Sequence, residues 1–543
     1  MNPSRGVRWS ALLAAAWVTL AGLPAAAGPL FEDPGPLLEG PLDPLARSPR
    51  VLGMGRLGYV LDDVHNRINL WDLGGNPVGV IDADSSSTLE LGPTTGAASA
   101  VSEPLGPGSG YERQTLGARD VRTFGEAWRR VPGGPTYGAV GDWSTARSDQ
   151  PYNESTERRS QLSSPNITGI LGGILPVVRT QRIRYALRML IATASNSDRY
   201  RLFVRNATGE FLDQDGAVID PPDFFQPVDV QNRTLGIGAH FGVRVIPALE
   251  MAAGYDFVDH RLVGTNDGFR HAAELREERP YHVGQFTMIG RLAGHLELGA
   301  DVKGWLSKSH QTWVFTTSAG TATEPLAGRG KVLDREEKGS SLDARARWTS
   351  GSIELGAGFR NAYQKVDIKP PGADDASSLN HFLDVVFNRT GADTLALPDS
   401  VARNTLAGRS WEAGAGAAWT NPWTHGALGL EARYFHGRRD QDLSGAGPRH
   451  VGWDVRAGLE HPVLVPLRLR AGYVYRWEDL DKFTALNEYV TQSATAGLGF
   501  RPAATRWSVD VAYAYEWIRA DFDTPTDPRL SRQQLAARLR WLF

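Results

Sequence analysis

From about residue 135 to its last position the chain alternates apolar with polar or small residues, in copy after copy. In the stretch 507–517, WSVDVAYAYEW, every odd position is apolar or aromatic, while the even ones are Ser508, Asp510, Ala512, Ala514 and Glu516. Successive side chains of a strand point to opposite faces, so a period of two makes a strand with one greasy face. The same alternation runs through 235–243, 296–302, 342–348, 353–359, 411–419, 428–434, 451–459, 467–477, 494–500 and 535–543. Strands of this kind serve a sandwich, a propeller or a transmembrane barrel whose apolar face looks at lipid.

The connections separate the three. Short ones fall at 247–248, 291–295, 349–351, 420–425, 460–465 and 501–505, and long ones at 260–279, 307–340, 365–409, 437–450, 478–488 and 520–531, in strict succession. An outer-membrane barrel keeps short turns on its periplasmic side and long loops outside, whereas a sandwich or propeller has no reason to obey that rule. With further strands near 137–145, 167–175 and 183–193 the count comes to about 16, within a range of 14 to 18. The fold class expected is therefore all-β: a transmembrane antiparallel up-and-down β-barrel with an N-terminal plug or periplasmic segment.

Other classes fall away on composition. A mean hydropathy of −0.31 excludes a bundle of membrane helices, each of which needs about 20 nearly continuous apolar residues. The chain has no Cys, hence no disulfide, thiolate metal site or lipidated N-terminal cysteine. Arg5 and Arg8, an apolar run at 11–20 and Ala25, Ala26 and Ala27 read as a secretory signal peptide over 1–27. Its removal takes the formal net charge from −3 to −5, so no basic footprint for nucleic acid exists. Residues 28–134, rich in Pro and Gly at their start, read as a possible plug or hatch, and 135–543 as the barrel.

Trp507 and Trp517 share one face ten positions apart, which on a strand tilted near 40° is roughly 25 Å along the membrane normal. That is the spacing of two aromatic girdles, to which Trp411, Trp419, Trp453, Trp477 and Trp541 also belong, while Trp305 falls on the polar parity. The opposite face carries Arg182, Arg184, Arg188, Arg345, Arg347, Arg468 and Arg470, with Asp343, Asp454 and Asp510 among fewer acids. A net basic lumen favours anions; alternatively the arginines pair with the acids across neighbouring strands.

Together these features resemble Gram-negative outer-membrane β-barrel proteins of the porin kind over about three-quarters of the chain. The resemblance extends to the last strand, where Leu539, Trp541 and Phe543 match that family's assembly signal for the barrel-insertion machinery. Gly75-Asn76-Pro77-Val78-Gly79, followed by Ser87 to Leu91, is similar to the Asn-Pro-Ala-Gly segment of the long-chain fatty-acid and hydrocarbon transporter family. That likeness implies that Asn76, Pro77 and Gly79 belong to a hatch inside the barrel, although Val78 departs from the pattern.

No enzyme is expected. Neither an activated nucleophile beside an oriented base nor a zinc or phosphate motif is present, and His436 is a lone rim histidine. Asp213, Asp215, Asp521, Asp523 and Asp527 complete no calcium set, and His260 and His271 lack metal spacing, so no metal and no cofactor is expected. The partners expected are outer-membrane lipid, lipopolysaccharide, the insertion machinery and a small-molecule solute. The Gly- and Ala-rich 411–419 strand offers a face for an oligomer. The function expected is passage of a small solute through a partly obstructed, Arg-lined lumen in the bacterial outer membrane. A hydrophobic-compound carrier with an N-terminal hatch, a surface anchor or adhesin, and an outer-membrane enzyme are the alternatives.

Overall fold

The computed structural model describes residues 49–60, 86–101, 113–132, 134–153, 156–178, 181–202, 204–205, 211–212, 226–267, 271–292, 295–317, 326–369, 404–441, 449–481, 486–502, 505–522 and 529–542. One short helix, α1 (Pro49–Gly53), precedes twenty strands. They are β1 (Ser86–Val101), β2 (Arg113–Arg130), β3 (Thr136–Asn153), β4 (Thr156–Val178), β5 (Gln181–Leu202), β6 (Val204–Arg205), β7 (Phe211–Leu212), β8 (Gln226–Ile246), β9 (Leu249–Asp267) and β10 (His271–Leu292). The remainder are β11 (Leu296–Thr317), β12 (Leu326–Ser350), β13 (Ile353–Lys369), β14 (Asn404–Thr420), β15 (Ala427–Gln441), β16 (Arg449–Leu464), β17 (Leu467–Asp481), β18 (Leu486–Phe500), β19 (Trp507–Phe522) and β20 (Arg529–Leu542).

All but β6 and β7 join one 18-stranded antiparallel sheet in which each strand pairs with its neighbours in sequence. The last strand returns to the first, with Leu89 opposite Leu539 and Ser87 opposite Trp541, so the ladder closes. Closure is what lets a sheet live in lipid, since an edge would leave backbone donors and acceptors without partners. The side chains divide as the alternation demands. Ile237, Phe241, Leu298, Leu355, Leu430, Val455, Leu498 and Leu535 are exposed, while Arg188, Asp256, Glu431, Arg433, Asp454 and Glu460 are buried. The polar residues are inside and the apolar ones outside, the reverse of a water-soluble sandwich.

The wall starts earlier than residue 135. β1 and β2 lie within 86–130, and they are the two strands by which 18 exceeds the expected 16. The Gly, Ala, Ser and Thr of β1 and the charges on both parities of β2 blunt the apolar alternation that betrays the others, and pairing of β1 with β20 and β2 places them instead. Ser87 to Leu91, expected beside a hatch, are wall residues of β1. The strands also run further than the alternation. β11 and β12 have 22 and 25 residues, where about 9–11 suffice to cross a bilayer, and their ladder continues beyond the point where apolar residues give way to polar ones.

On the β14–β20 side, tryptophans stand in two rows at different heights. Trp419 opposite Ile353, and Trp507 opposite Trp541, stand at the end with short turns. Trp411 opposite His436, and Trp453 opposite both Tyr434 and Trp477, stand higher, with Trp517 on β19. His436 stacks on Trp411 at 6.2 Å and 20°, the role of an interfacial residue. Trp305 faces inward, packed on Val258, Tyr281 and Val283, as its parity requires.

Candidate functional site

The local sequence 49–60 enters the barrel as one helical turn closed by a reversal. Pro49 opens α1, where its missing N–H costs nothing. At the other end Arg56 N–H donates to Val51 O at 2.8 Å and Gly55 N–H to Leu52 O at 3.2 Å, with Gly55 at φ 69° and Arg56 at φ 60°. This is a Schellman ending, and it needs a left-handed residue where glycine stands at Gly55. Leu52, Met54, Leu57 and Val60 are fully buried, Leu52 against Ala512, Ala514 and Ala536 and the others in a cluster with Val51, Ala418, Ala427 and Tyr59.

Polar side chains of the lumen face fix this segment to β14–β20. Arg50 donates to Glu460 at 3.0 and 3.1 Å. Arg56 pairs with Glu516 at 2.5 Å and donates to Gln534 at 3.3 Å, while its carbonyl accepts from Arg456 at 2.6 Å. Thr495 receives the Gly55 N–H and donates to Gly53 O, both at 3.1 Å. Glu431 accepts three successive backbone N–H groups, from Gly58 at 2.8 Å, Tyr59 at 2.6 Å and Val60 at 2.9 Å. The Tyr59 hydroxyl donates to Glu412 at 2.9 Å, and burial beside that carboxylate holds its proton on well above the usual phenol range.

The segment lies so close because the wall beneath it is glycine. A Cβ added to Gly458 would overlap Met54 O, at Gly472 the Gly55 nitrogen, and at Gly356 Tyr59 O; at Gly358 and Gly414 it would overlap the Tyr59 ring. Gly414 and Gly416 therefore face inward, toward Tyr59 and Val60, and the glycines of 411–419 form a seat for the N-terminal segment, while Ala415 and Ala417 of the same strand are exposed. A strand of glycine at alternate positions was the visible signal, and which face it lined was not.

The sequence-predicted lumen residues come together with acids. Arg188 is held by Asp256 at 3.1 and 2.5 Å, and His240 joins the same carboxylate at 3.2 Å. Arg184 pairs with Glu250 at 3.1 Å, Arg345 with Asp343 at 3.4 Å, and Arg347 with Glu354 at 2.5 Å. Arg468 and Arg470 meet at Glu460, at 2.8 and 2.7 Å, and Arg470 also reaches Asp510 at 2.6 Å. Asp454, fully buried, is gripped by Arg433 and Arg456 with Arg476 at 3.6 Å. Pairing with acids, across strands for Arg184, Arg188, Arg347, Arg468 and Arg470 and within β12 for Arg345, thus accounts for the expected lumen arginines whose side chains are described. The Arg182 side chain, Asn76, Pro77, Gly79 and Phe543 lie outside the described residues. Residues that sequence reasoning missed are Glu431, Glu412, Glu516 and Thr495 as holders of 53–60.

Among the described residues no three His, Asp or Glu side chains come together at metal-binding distance. No protein-family model matches the sequence, and no curated protein matches it either. The chain is similar to several solved structures. A Pseudomonas aeruginosa FadL homologue shares 11% identity over 91% of this chain and 98% of its own, with a TM-score of 0.36. The Ralstonia pickettii toluene transporter TbuX gives 11%, 91%, 98% and 0.34, and the ferric citrate transporter FecA 9%, 84%, 79% and 0.37. The assignment of class rests instead on the closed register and the inverted surface described above. The molecule is a transmembrane β-barrel. Its interior is lined by paired charges, and its β13–β20 side carries a stretch of its own N-terminal chain.

Proposed function

We propose that the protein is an outer-membrane transporter in which a small solute passes through a lumen obstructed by residues 49–60. The observation that carries this reading is the seat of 53–60 on the inner wall. A barrel of 18 strands encloses a lumen wide enough for an aqueous channel unless something fills it, and this segment fills part of it. The reading includes export by a cleaved signal peptide, assembly by the barrel-insertion machinery through the last strand, and an outer surface facing lipid and lipopolysaccharide. Passage, not catalysis, is the activity it assigns.

The arginines contribute less to solute choice than their number suggests, because they share carboxylates: Arg433, Arg456 and Arg476 converge on Asp454, and Arg50, Arg468 and Arg470 on Glu460. The interior is a salt-bridged wall, and net selectivity comes from small local excesses of one sign.

The test is conductance of the refolded protein in a planar bilayer, compared with a version lacking residues 28–60. The shorter version is expected to give large steady openings and the intact protein few. A deletion through 134 is unsuitable, since it removes β1 and β2 from the wall. Equal conductance of the two folded proteins would overturn the obstruction, and silence in both would overturn the channel.

A further inference from the structure

Residues 53–60 are held by their main chain as well as by the buried side chains of Met54, Leu57 and Val60 and the Arg56–Glu516 pair. Gly356, Gly358, Gly414, Gly429, Gly458 and Gly472 lie on the lumen face of five consecutive strands, β13 to β17, and each would drive a Cβ into the segment. They cut a shallow track across the wall, deep enough for a peptide backbone because they offer no side chain of their own. At one end Thr495 closes a two-way exchange with Gly53 and Gly55. At the other, the buried Glu431 carboxylate takes the N–H groups of Gly58, Tyr59 and Val60. Three converging backbone donors are a ready-made receptor for an anion, and here the barrel itself supplies the anion.

These contacts recognise the course of the backbone together with the Leu57 and Tyr59 side chains, which lie over Gly429 and over Gly358 and Gly414. Docking of this type is undone without breaking a covalent bond or unfolding a strand. Every strand keeps its two neighbours when the segment leaves. Main-chain donors released into a watery lumen find new acceptors in water, so the state without the contact is accessible.

We propose that the glycine track with Glu431 is a docking site for a single turn-and-loop segment of chain, that residues 53–60 occupy it as a reversible latch of the lumen, and that Glu431 is the residue that keeps the latch shut. The proposal deepens the obstructed-transporter reading and rests on it. Replacing the carboxylate by an amide puts an NH2 group against donors that need an acceptor. The loss of charge-assisted hydrogen bonds then shifts the equilibrium toward the undocked state by about tenfold or more.

Two measurements on the full-length protein test it. In single-channel recording Glu431→Gln is expected to raise the open fraction about tenfold over the unsubstituted chain. For the second, the chain has no cysteine of its own, so Leu57→Cys with Gly429→Cys forms a single pair, placed where a Cβ on Gly429 would meet the Leu57 side chain at 2.5 Å. Oxidation of that pair is expected to abolish openings, reduction to restore them, and Glu431→Gln to have no effect while the pair is oxidised. Folding is scored separately, by the shift in gel mobility between heated and unheated samples. If Glu431→Gln folds and opens no more often than the unsubstituted chain, while the protein lacking 28–60 conducts, the latch is overturned and the obstruction stands. If the variant does not fold, the cysteine pair decides: openings that persist through full oxidation overturn the latch. If the protein lacking 28–60 is itself silent, the obstruction reading fails. Cross-linking yield then judges the docking site alone, and failure to cross-link overturns it.

Discussion

Asp454 shows what a single carboxylate does inside this barrel. It has no exposure, and it receives Arg433 at 2.9 Å and Arg456 at 2.9 Å with Arg476 close by. A buried ion pair barely repays the desolvation of its members, yet removing the Asp454 carboxylate takes from Arg433, Arg456 and Arg476 the acid they share. Asp454→Asn is therefore expected to destabilise the barrel by about 3–5 kcal/mol, read as a fall in the temperature at which the heated form appears on a gel. Gly472 makes the opposite kind of contribution, by having no side chain. Gly472→Ala would put a methyl group on the Gly55 nitrogen and push 53–57 from the wall. With β17 still paired on both sides, the expected result is a folded protein in which the Leu57→Cys, Gly429→Cys pair no longer cross-links efficiently. At this scale the sequence was only half legible. Glycine at alternate positions of 411–419 is plain to see, but whether it lines lumen or lipid depends on what lies opposite, and Tyr59 is more than 350 positions away in the chain. Glu431, one acid among many on the lumen parity, carries no mark in its neighbours that it will meet three backbone donors.

Strands were legible to the extent that lipid wrote them. Where a strand crosses the hydrocarbon, one face must be apolar, and from β3 to β20 fourteen of the 16 staves were placed from the sequence pattern, β9 and β10 being bounded only by the connections at 247–248, 260–279 and 291–295. Above the membrane both faces meet water, so the hydrogen-bonded ladder goes on while the alternation stops. This is why 307–340 read as one long loop although it holds the upper parts of β11 and β12. β1 and β2 escaped for different reasons: the small residues of β1 cover little area on either face, and β2 carries charge on both parities, at Arg119 and Arg129 and at Asp120, Arg122 and Glu126. Pairing of β1 with β20 closes the barrel at one seam, and β1 pairs with β2 along its whole length. Loss of residues 86–130 is thus expected to leave β3 and β20 as open edges, and no heat-modifiable barrel should form. Loss of 28–60 removes no wall strand, and that protein should still fold. The comparison of the two deletions on one gel separates wall from filling.

The whole molecule sorts its charges by layer. Outside, a belt of aliphatic residues lies between two rows of tryptophan, and an arginine in that belt is expensive in proportion to depth. Leu535, exposed on β20 and opposite Tyr513, lies between Trp541 and the upper row. Leu535→Arg is expected to cost about 2–4 kcal/mol, against far less for Leu535→Ala, measured by reversible unfolding from vesicles. Inside, the ledger is one of pairs, and it determines what an opened lumen should select. Asp343 holds Arg345 at 3.4 Å and Arg360 at 3.1 Å, both partly exposed to the lumen. Asp343→Asn removes a negative charge that Arg345 and Arg360 share, whereas changing Arg184 and Arg188 to Gln removes two positive charges from Glu250 and Asp256. In the protein lacking 28–60, under a salt gradient, Asp343→Asn should move the reversal potential toward anions, and the arginine substitutions toward cations. A reversal potential unmoved by either change would mean that the pairs stand outside the path of the solute, and would return the filter to the long loops at the rim.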